Sequence, residues 1–411
     1  MLSAEKLLCN YHAAQRRARE ELYLMDFGLT PEQEMIRQTA RKIAQEVIKP
    51  RSAVLDETGI YPEDIYQVFK ETGLLGLNFP EEYGGSGAGT LGLGLAVEEV
   101  AKVDNACALI LLLTKLSTSA IMRFGTEEQK RKYGQGTALG ELRGAFGLTE
   151  PGAGSDSANI QTKAEKDGDF YRITGTKHWI SGANVADFFL IATKTDLRAG
   201  SKGFTVFVVD KDTPGFRVGK SDKKMGVRGV PTCELIFDEA KVPAANVIGE
   251  VNNGFKAIMW NLNSVRPIVA ARGLGAAEGA LQYAIDYARQ RETFNKPIIE
   301  HQAIQMMIAD VAMRVEASRW LTYNACQTVD NGFADREHAH ILSMAKAFST
   351  ETAVMSADTA VQILGGNGYM MDHPVERYYR DARQLTIVEG TSQVQRMIIA
   401  KSIIDDMLNW K

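Results

Sequence analysis

The chain has 411 residues, of which 45% are hydrophobic and 24% are charged, a composition typical of a folded globular protein with a sizeable core. The formal net charge of −4 provides no basic surplus of the kind that nucleic-acid binding requires. Four widely spaced cysteines without a CxxC pair predict reduced thiols, with neither a disulfide framework nor a metal site. The apolar run 106–113 stops before Lys115, so we also expect no membrane partner.

The first 24 residues precede the first predicted helix. Arg16, Arg17 and Arg19 are typical of an organellar transit peptide, but three glutamates in the same stretch argue against one. Met25 offers a second start, so residues 1–25 are interpreted as a helical extension or the product of an upstream start codon. We expect a bacterial cytoplasmic location, with the mitochondrial matrix as the alternative.

Residues 26–144 carry helical patterns and form a predicted N-terminal all-α domain. Thr30 and Pro31 supply an N-cap and a first-turn proline for one helix, with acidic residues behind them. Another helix should begin near Pro62 and end near Gly73.

Three glycines, Gly87, Gly89 and Gly92, have the GxGxxG spacing of a dinucleotide-binding loop. That function requires a preceding strand and an acidic residue about 20 positions later. Residues 81–85 do not read as a strand and the acid is missing, so we interpret the segment as a glycine-rich loop.

The pattern changes to β-rich runs at 188–192, 204–209 and 234–237, which are bounded by Gly, Asp and Pro. This defines a predicted middle β-sheet or barrel domain over residues 145–254. Helical periodicity returns in a C-terminal domain at 255–411, where Ile304, Met307, Ile308, Val311 and Val315 form one apolar stripe. Helices, then strands, then helices indicate an α+β fold and argue against a doubly wound sheet.

Two segments of the β domain have compositions suited to ligand binding. Residues 147–156 contain glycines that let a backbone approach a ligand, and Thr149 and Ser155 supply hydroxyls. In 177–183, Trp179 followed by Ser181 can cover a planar cofactor and hydrogen-bond its edge. Each has a structural alternative, a β-turn for the first and a core tryptophan for the second.

Three segments of the C-terminal domain are also candidates. Residues 289–294 read either as a ligand-binding segment or as a charged helix end, and 362–369 interrupt a helix with three glycines whose N–H groups suit an anion. Ser392 and Gln395 have capping-box spacing, so Glu389 is predicted to precede a helix N-terminus. A carboxylate there can also serve only to complement the helix dipole.

The five segments, in this order, resemble the acyl-CoA dehydrogenase family from Met25 to the last residue. The matching motifs are TEPGAGSD at 149–156, KHWIS at 177–181, RETF at 291–294, QILGGNGY at 362–369 and VEGTSQVQR at 388–396. The resemblance implies a four-helix C-terminal bundle and a homodimer or a tetramer built from two dimers.

The resemblance also implies flavin adenine dinucleotide (FAD) as the cofactor and an acyl-CoA as the substrate. Arg291 and the turn at 362–366 are implied to reach the FAD of a neighbouring subunit. The implied FAD-binding residues are Phe146, Leu148, Thr149, Gly154, Ser155, Trp179, Ile180, Ser181, Arg291, Phe294, Gln302, Gln362, Ile363, Gly365, Gly366, Thr391 and Gln393. The implied substrate-binding residues are Ser155, Asn263, Arg266 and Gly390.

By the same resemblance, Glu389 is the catalytic base that removes the α-proton, and a hydride passes from the β-carbon to the flavin to give a trans-2-enoyl-CoA. Its own backbone N–H is implied to bind the thioester oxygen. Val265 occupies the position at which a few relatives carry the base, and Val388 replaces a frequent tyrosine. Electron-transferring flavoprotein is the implied acceptor. An acyl-CoA oxidase, a flavin monooxygenase and a non-enzymatic assembly factor of the same fold remain alternatives.

Lys115 lies on the helix that the resemblance places beside the acyl chain. Two interpretations are open. Its stem packs on the helix while the ammonium reaches water, or the ammonium lies at the end of the pocket and pairs with a polar acyl group.

Overall fold

The computed structural model describes residues 28–408, so the expectation for residues 1–25 lies outside the described part. The N-terminal region is helical throughout. Its helices are α1 (Pro31–Ile43), α2 (Ser52–Thr58), α3 (Glu63–Glu71), α4 (Gly89–Ala101), α5 (Asn105–Phe124), α6 (Glu127–Gln129) and α7 (Gly136–Ala138), with π-helical turns at Ala44–Ile48 and Lys130–Gln135.

Local sequence explains where these helices begin and end. At the start of α1, the Thr30 hydroxyl accepts a hydrogen bond from the Gln33 N–H and the Gln33 side chain accepts from the Thr30 N–H, forming a complete capping box. Gly73 has φ +74° just beyond α3, a left-handed conformation in which glycine has no Cβ penalty.

The predicted glycine-rich loop is correct for Gly87 and Ala88 only, because residues 89–92 of the GxGxxG segment form the first turn of α4. The preceding element is a 3₁₀ turn (Glu81–Tyr83), and the Asp330 carboxylate accepts hydrogen bonds from the N–H groups of Thr90 and Leu91. A protein carboxylate therefore occupies the place at which a dinucleotide would put its pyrophosphate.

The middle region is one eight-stranded mixed sheet in the order β6-β7-β3-β2-β4-β5-β8, with β1 added parallel to β4. Its strands are β1 (Gly144–Gly147), β2 (Lys163–Asp167), β3 (Phe170–Ser181), β4 (Phe188–Lys194), β5 (Phe204–Asp210), β6 (Phe216–Ser221), β7 (Thr232–Pro243) and β8 (Val247–Ile248). Strands β4 and β5 are almost entirely buried, because helices cover this part of the sheet. Strands that are covered on both faces therefore appear in the sequence as continuous apolar runs, without alternation of apolar and polar residues.

The C-terminal region contains four long helices and one short helix. They are α8 (Gly254–Gln290), α9 (Gln302–Asp330), α10 (Ala339–Leu364), the short α11 (Val375–Leu385) and α12 (Ser392–Leu408); a two-stranded hairpin of β9 (Glu292–Thr293) and β10 (Lys296–Pro297) joins α8 to α9. A Cβ at Gly275 would lie 2.2 Å from the Glu98 carbonyl oxygen, so glycine is what allows α8 to approach α4. The predicted α+β class, with helical N- and C-terminal parts around a β domain, is confirmed.

Helix α5 is, among the described residues, the one helix long and apolar enough to cross a membrane by length and composition. However, 94% of its most apolar window is buried inside the protein. It packs with α4, α8 and α11 in the largest hydrophobic cluster, so we interpret α5 as the central core helix.

Candidate functional site

The loop after β1 and the end of β3 are joined by a buried ion pair. The Lys177 ammonium donates to Glu150 Oε1 (2.7 Å) and to the Leu148 carbonyl oxygen (3.0 Å). The Glu150 carboxylate also accepts from the N–H groups of Gln161 (2.6 Å) and Thr162 (3.0 Å). Burial lowers the pKa of Lys177 to about 8, although Glu150 pulls it upward. The two motifs 149–156 and 177–181 therefore form one unit.

Trp179 is the exposed aromatic surface of this unit. It lies at an irregularity in the β3–β7 pairing with φ +58°, and 56% of the residue is exposed. One face of the indole stacks on His178, with the ring centroids 4.5 Å apart and the planes 10° apart. The exposed remainder is a surface on which a planar ligand can stack. The interpretation of Trp179 as a core residue is wrong.

The remaining predicted residues of this unit differ in what they can offer a ligand. Thr149 is fixed because its carbonyl oxygen accepts from the His178 N–H (2.9 Å). Gly154 and Ser155 are exposed, and a Cβ at Gly154 would meet nothing within 4 Å. Leu148 and Ile180 are buried; the Leu148 carbonyl oxygen binds Lys177, and Ile180 pairs with Cys233 in the sheet. Phe146 and Ser181 are half-buried.

Glu389 lies in the turn between α11 and α12 with φ +48°. Hydrogen bonds from the Gln395 amide hold the carbonyl oxygens of Glu389 (3.1 Å) and Gly390 (3.0 Å). The residue as a whole is half-buried, but its Oε2 is buried and has no hydrogen-bond partner among the described residues. A non-glycine residue in a left-handed conformation with an unpaired buried carboxylate oxygen is typical of a functional site.

The capping-box prediction for α12 is wrong by one residue. The N-cap is Thr391, whose hydroxyl accepts from the Val394 N–H (3.2 Å), and Ser392 is the first helical residue. Gln395 reaches the two carbonyl oxygens of the turn instead of an N-cap N–H, so it stabilises the Glu389 turn itself.

Two buried cations, Arg272 and Lys346, interact electrostatically with Glu389. Burial raises the pKa of Glu389, whereas Arg272 and then Lys346 lower it. The Lys346 ammonium donates to the Gly390 carbonyl oxygen (2.8 Å), and burial lowers its pKa to about 8. Arg272 is 1% exposed, and burial lowers its pKa to about 10. The site can therefore hold a carboxylate that accepts a proton in a dry environment.

Asn263 and Arg266, the other predicted substrate residues, form a buried pair. Arg266 Nη1 donates to Asn263 Oδ1 (2.6 Å), while the Asn263 amide donates to the carbonyl oxygens of Ala334 (3.0 Å) and Asp335 (3.1 Å). Arg266 Nε is buried and lacks a partner within residues 28–408. Val265 is fully buried in the large core.

A second group of predicted residues meets at the end of the C-terminal bundle. The Tyr287 carbonyl oxygen accepts from the Arg291 N–H (2.9 Å), and its hydroxyl accepts from the Asn367 amide (2.7 Å), which ties the hairpin to the glycine turn. Phe294 has φ +51° and is 90% exposed. Exposed residues of this group are Arg291, Gln302, Gln362, Gly365 and Gly366; the side chain of Ile363 is buried, Thr391 is half-buried and Gln393 is exposed in the neighbouring turn.

Lys115 is buried, which contradicts the interpretation that its ammonium reaches water. It is 7% exposed, and its ammonium donates to the Thr90 hydroxyl (3.1 Å) on α4. Burial lowers its pKa, while the nearby Asp330 raises it. The ammonium is therefore satisfied by groups of the protein, and its pairing with a polar acyl group stays a hypothesis.

Sequence reasoning missed three buried charged residues that organise the site: Lys177, Arg272 and Lys346. Two of them have a signal in the sequence. Lys177 is at an inward position of β3 in step with Tyr171 and Ile173, and Arg272 is the one charge in the apolar stretch 267–277. A lone charge on a face that is otherwise apolar predicts a buried, paired group.

Helical domains surround a mixed sheet, and an exposed indole lies beside a glycine-rich loop. Glu389 adds a buried carboxylate oxygen that has no partner among the described residues. These features define a candidate active site with a carboxylate oxygen in a dry environment. Family models give the particular class: acyl-CoA dehydrogenase N-terminal domain at residues 30–141, middle domain at 145–240 and C-terminal domain at 252–404. The chain belongs to the acyl-CoA dehydrogenase family and is an oxidoreductase.

Individual relatives agree over nearly the whole chain. An acyl-CoA dehydrogenase of Bacillus subtilis is 42% identical over 92% of this chain and 99% of its own length. The structure of butyryl-CoA dehydrogenase from Megasphaera elsdenii is 38% identical with a TM-score of 0.89, covering 92% of this chain and all of that one. A chain from the structure of the electron transferring flavoprotein of Acidaminococcus fermentans is 41% identical with a TM-score of 0.90, covering 92% and 99%.

Proposed function

We propose that this chain carries out FAD-dependent α,β-dehydrogenation of an acyl-CoA thioester, with Glu389 as the base. The observation that carries the proposal is the buried Oε2 of Glu389, which has no partner in the described part of the chain and lies in a turn with positive φ. An α-proton beside a thioester is weakly acidic, so its removal requires a carboxylate held in a desolvated site.

The residues present fit FAD. Trp179 offers an exposed aromatic surface, and Gly152 and Gly154 leave open space where a side chain would otherwise project. The hydroxyls of Thr149 and Ser155 lie in the same loop. When bound, FAD supplies the two-electron acceptor for the hydride that leaves the β-carbon. The protein's share of the work is to position that carbon and to remove the α-proton.

The turn that holds Glu389 is suited to that work. The carbonyl oxygens of Glu389 and Gly390 are held by Gln395, and Lys346 binds the second of them, so the backbone cannot swing freely. A fixed base loses little entropy when it takes the proton. In this proposal the Glu389 backbone N–H binds the thioester oxygen, as the family resemblance implies.

A second copy of the chain is part of the proposal. Phe294 is 90% exposed beside Arg291 at the end of the bundle, where an isolated monomer leaves a large aromatic in water. Covering this end by a partner would place Arg291 and the turn at 362–366 against the FAD pyrophosphate of that partner. We propose a homodimer or a tetramer built from two dimers.

The electron acceptor is proposed to be electron-transferring flavoprotein. The support is the 41% identity to a chain in the structure of such a flavoprotein from Acidaminococcus fermentans. An acyl-CoA oxidase would pass the electrons to oxygen, a monooxygenase would need oxygen for product formation, and an assembly factor would not turn over.

One experiment distinguishes these functions. The purified protein is tested for FAD content and mixed under argon with straight, branched, cyclic and dicarboxylic acyl-CoAs. We expect bleaching by at least one of them, a 2-enoyl-CoA product and reoxidation by electron-transferring flavoprotein faster than by oxygen. Fast reoxidation by oxygen would indicate an oxidase. A flavin-loaded protein that no acyl-CoA reduces would contradict the proposal.

A further inference from the structure

Arg272 lies at the junction of three elements that surround the Glu389 turn. Its Nη2 donates to the Asn105 carbonyl oxygen at the start of α5 (3.2 Å) and to the Gln384 side chain at the end of α11 (3.3 Å). The Gln384 carbonyl oxygen in turn accepts from the N–H groups of Ile387 (2.9 Å) and Val388 (3.1 Å). Arg272 thus contacts the residue from which the Glu389 turn begins.

The Arg272 guanidinium is also incompletely satisfied. The residue is 1% exposed, and its Nε has no hydrogen-bond partner among residues 28–408. The Glu389 Oε2 is unpartnered in the same way. An unpaired buried donor is costly, so its retention in a core of small apolar residues calls for a functional explanation.

The other two buried cations nearby have partners of their own, although Arg266 Nε is also unpartnered among the described residues. Lys346 is bound to the Gly390 carbonyl oxygen (2.8 Å), and Arg266 donates to Asn263 (2.6 Å) and to Ser343 (3.4 Å). Arg272 is the cation whose charge acts most on Glu389, and Glu389 is the group that most favours the charged form of Arg272.

Resting on the proposed function, we propose that Arg272 is a positioning residue for Glu389: its contact with Gln384 fixes the turn, and its buried positive charge opposes protonation of the carboxylate. Burial favours the protonated form of a carboxyl group, which cannot accept the α-proton. The Arg272 charge therefore offsets part of the effect of burial on the base.

Other charged groups of the surrounding elements are accounted for. The carboxylates Asp104 and Asp381 act on Arg272 from α5 and α11, and the pKa of each is raised by burial. From the middle domain, Arg272 lowers the pKa of Lys224, and Glu351 on α10 acts on Lys346. None of these groups is a cation with a larger effect on Glu389 than that of Arg272.

The test compares Arg272→Gln, Arg272→Lys and Asn105→Ala. The last removes the hydrogen bond from the Asn105 side chain to the Arg272 carbonyl oxygen (3.3 Å) but keeps every charge. In Arg272→Gln, loss of the charge raises the pKa of Glu389. The ratio of the variant's kcat/KM to that of wild type should therefore be lower near pH 6 than near pH 9, by about tenfold or more. In Arg272→Lys and Asn105→Ala, the same variant-to-wild-type ratio should differ by less than about threefold between the two pH values.

A second readout does not depend on turnover. The carboxyl infrared band that disappears in Glu389→Gln is titrated in the flavin-loaded wild type and in Arg272→Gln, and its midpoint should move to higher pH in the variant. An unmoved midpoint together with a flat kcat/KM ratio would overturn the inference, as would an equal shift in Asn105→Ala. If no acyl-CoA reduces the wild type, the proposed function fails, while the infrared titration still decides the role of Arg272.

Discussion

The buried Lys177–Glu150 pair is predicted to hold the loop 148–155, which we propose binds flavin. Replacing Lys177 with methionine keeps the length of the side chain but removes the ammonium that binds Glu150 and the Leu148 carbonyl oxygen. Glu150 then stays buried, with hydrogen bonds from two backbone N–H groups but without a counter-charge. The loop 148–155 loses its tie to β3, so we expect weaker flavin retention as well as lower stability.

The magnitude follows from the burial of both partners. Lys177 is fully buried and the Glu150 side chain is 7% exposed, so solvent screens the pair little. Breaking a buried pair by removing one partner typically costs about 3–5 kcal/mol. Adding Glu150→Gln removes the uncompensated charge. The double variant should therefore be more stable than the sum of the single changes predicts, by about 1–3 kcal/mol.

The assay is urea unfolding, followed by tryptophan fluorescence, together with flavin retention on gel filtration. Lys166→Met, at an exposed position of β2, is the matched control and should remain within about 0.5 kcal/mol of wild type. If the free energy of unfolding of Lys177→Met is within about 1 kcal/mol of the wild-type value and the variant keeps its flavin, the ion pair does not hold the loop in place.

Three further predictions concern other parts of the chain. Arg291→Ala should lose flavin and dissociate on gel filtration, whereas Arg291→Lys should retain part of the flavin. Arg131→Ala is the control and should behave as wild type. Equal flavin content in all three variants would contradict the inter-subunit role of Arg291. Lys115→Met should keep kcat/KM on butyryl-, octanoyl-, cyclohexanecarboxyl- and glutaryl-CoA within about twofold, because its ammonium faces Thr90, and a selective loss on one substrate would refute this. Burial raises the pKa of Asp381 from 3.8 to about 7. The contribution of its protonation to stability is therefore present below about pH 4 and is lost as the pH rises through about 7. The Tm of Asp381→Asn relative to that of wild type should rise between pH 5 and pH 8, and a constant difference in Tm would contradict this prediction.

Much of the fold could be predicted because the periodicity is local. The change from helical to β patterns near residue 145, and back near 254, matches the first strand at Gly144 and the long helix from Gly254. The capping box at Thr30 and the glycine stop at Gly73 are also encoded within a few residues. The one-residue error at Ser392 is of the usual size for a helix boundary.

The buried charges could not be predicted in the same way, because their partners are distant in sequence. Lys115 approaches Asp330, which lies 215 positions later, and Arg272 meets Gln384 only when α8 and α11 pack together. Lys177 was within a recognised motif, but its role depends on how the loop after β1 folds back over β3. Tertiary packing decides whether such a side chain reaches water or a partner.

The central claim is that Glu389 removes the α-proton, and rapid anaerobic mixing of Glu389→Gln with the preferred acyl-CoA tests it most directly. Glutamine keeps the size of the side chain, so the variant should hold FAD and bind the substrate with near wild-type affinity. Since Val265 offers no second carboxylate, flavin bleaching should be slower than in wild type by at least about 10²–10⁴-fold. Bleaching at a rate near that of wild type would contradict the assignment of Glu389 as the base.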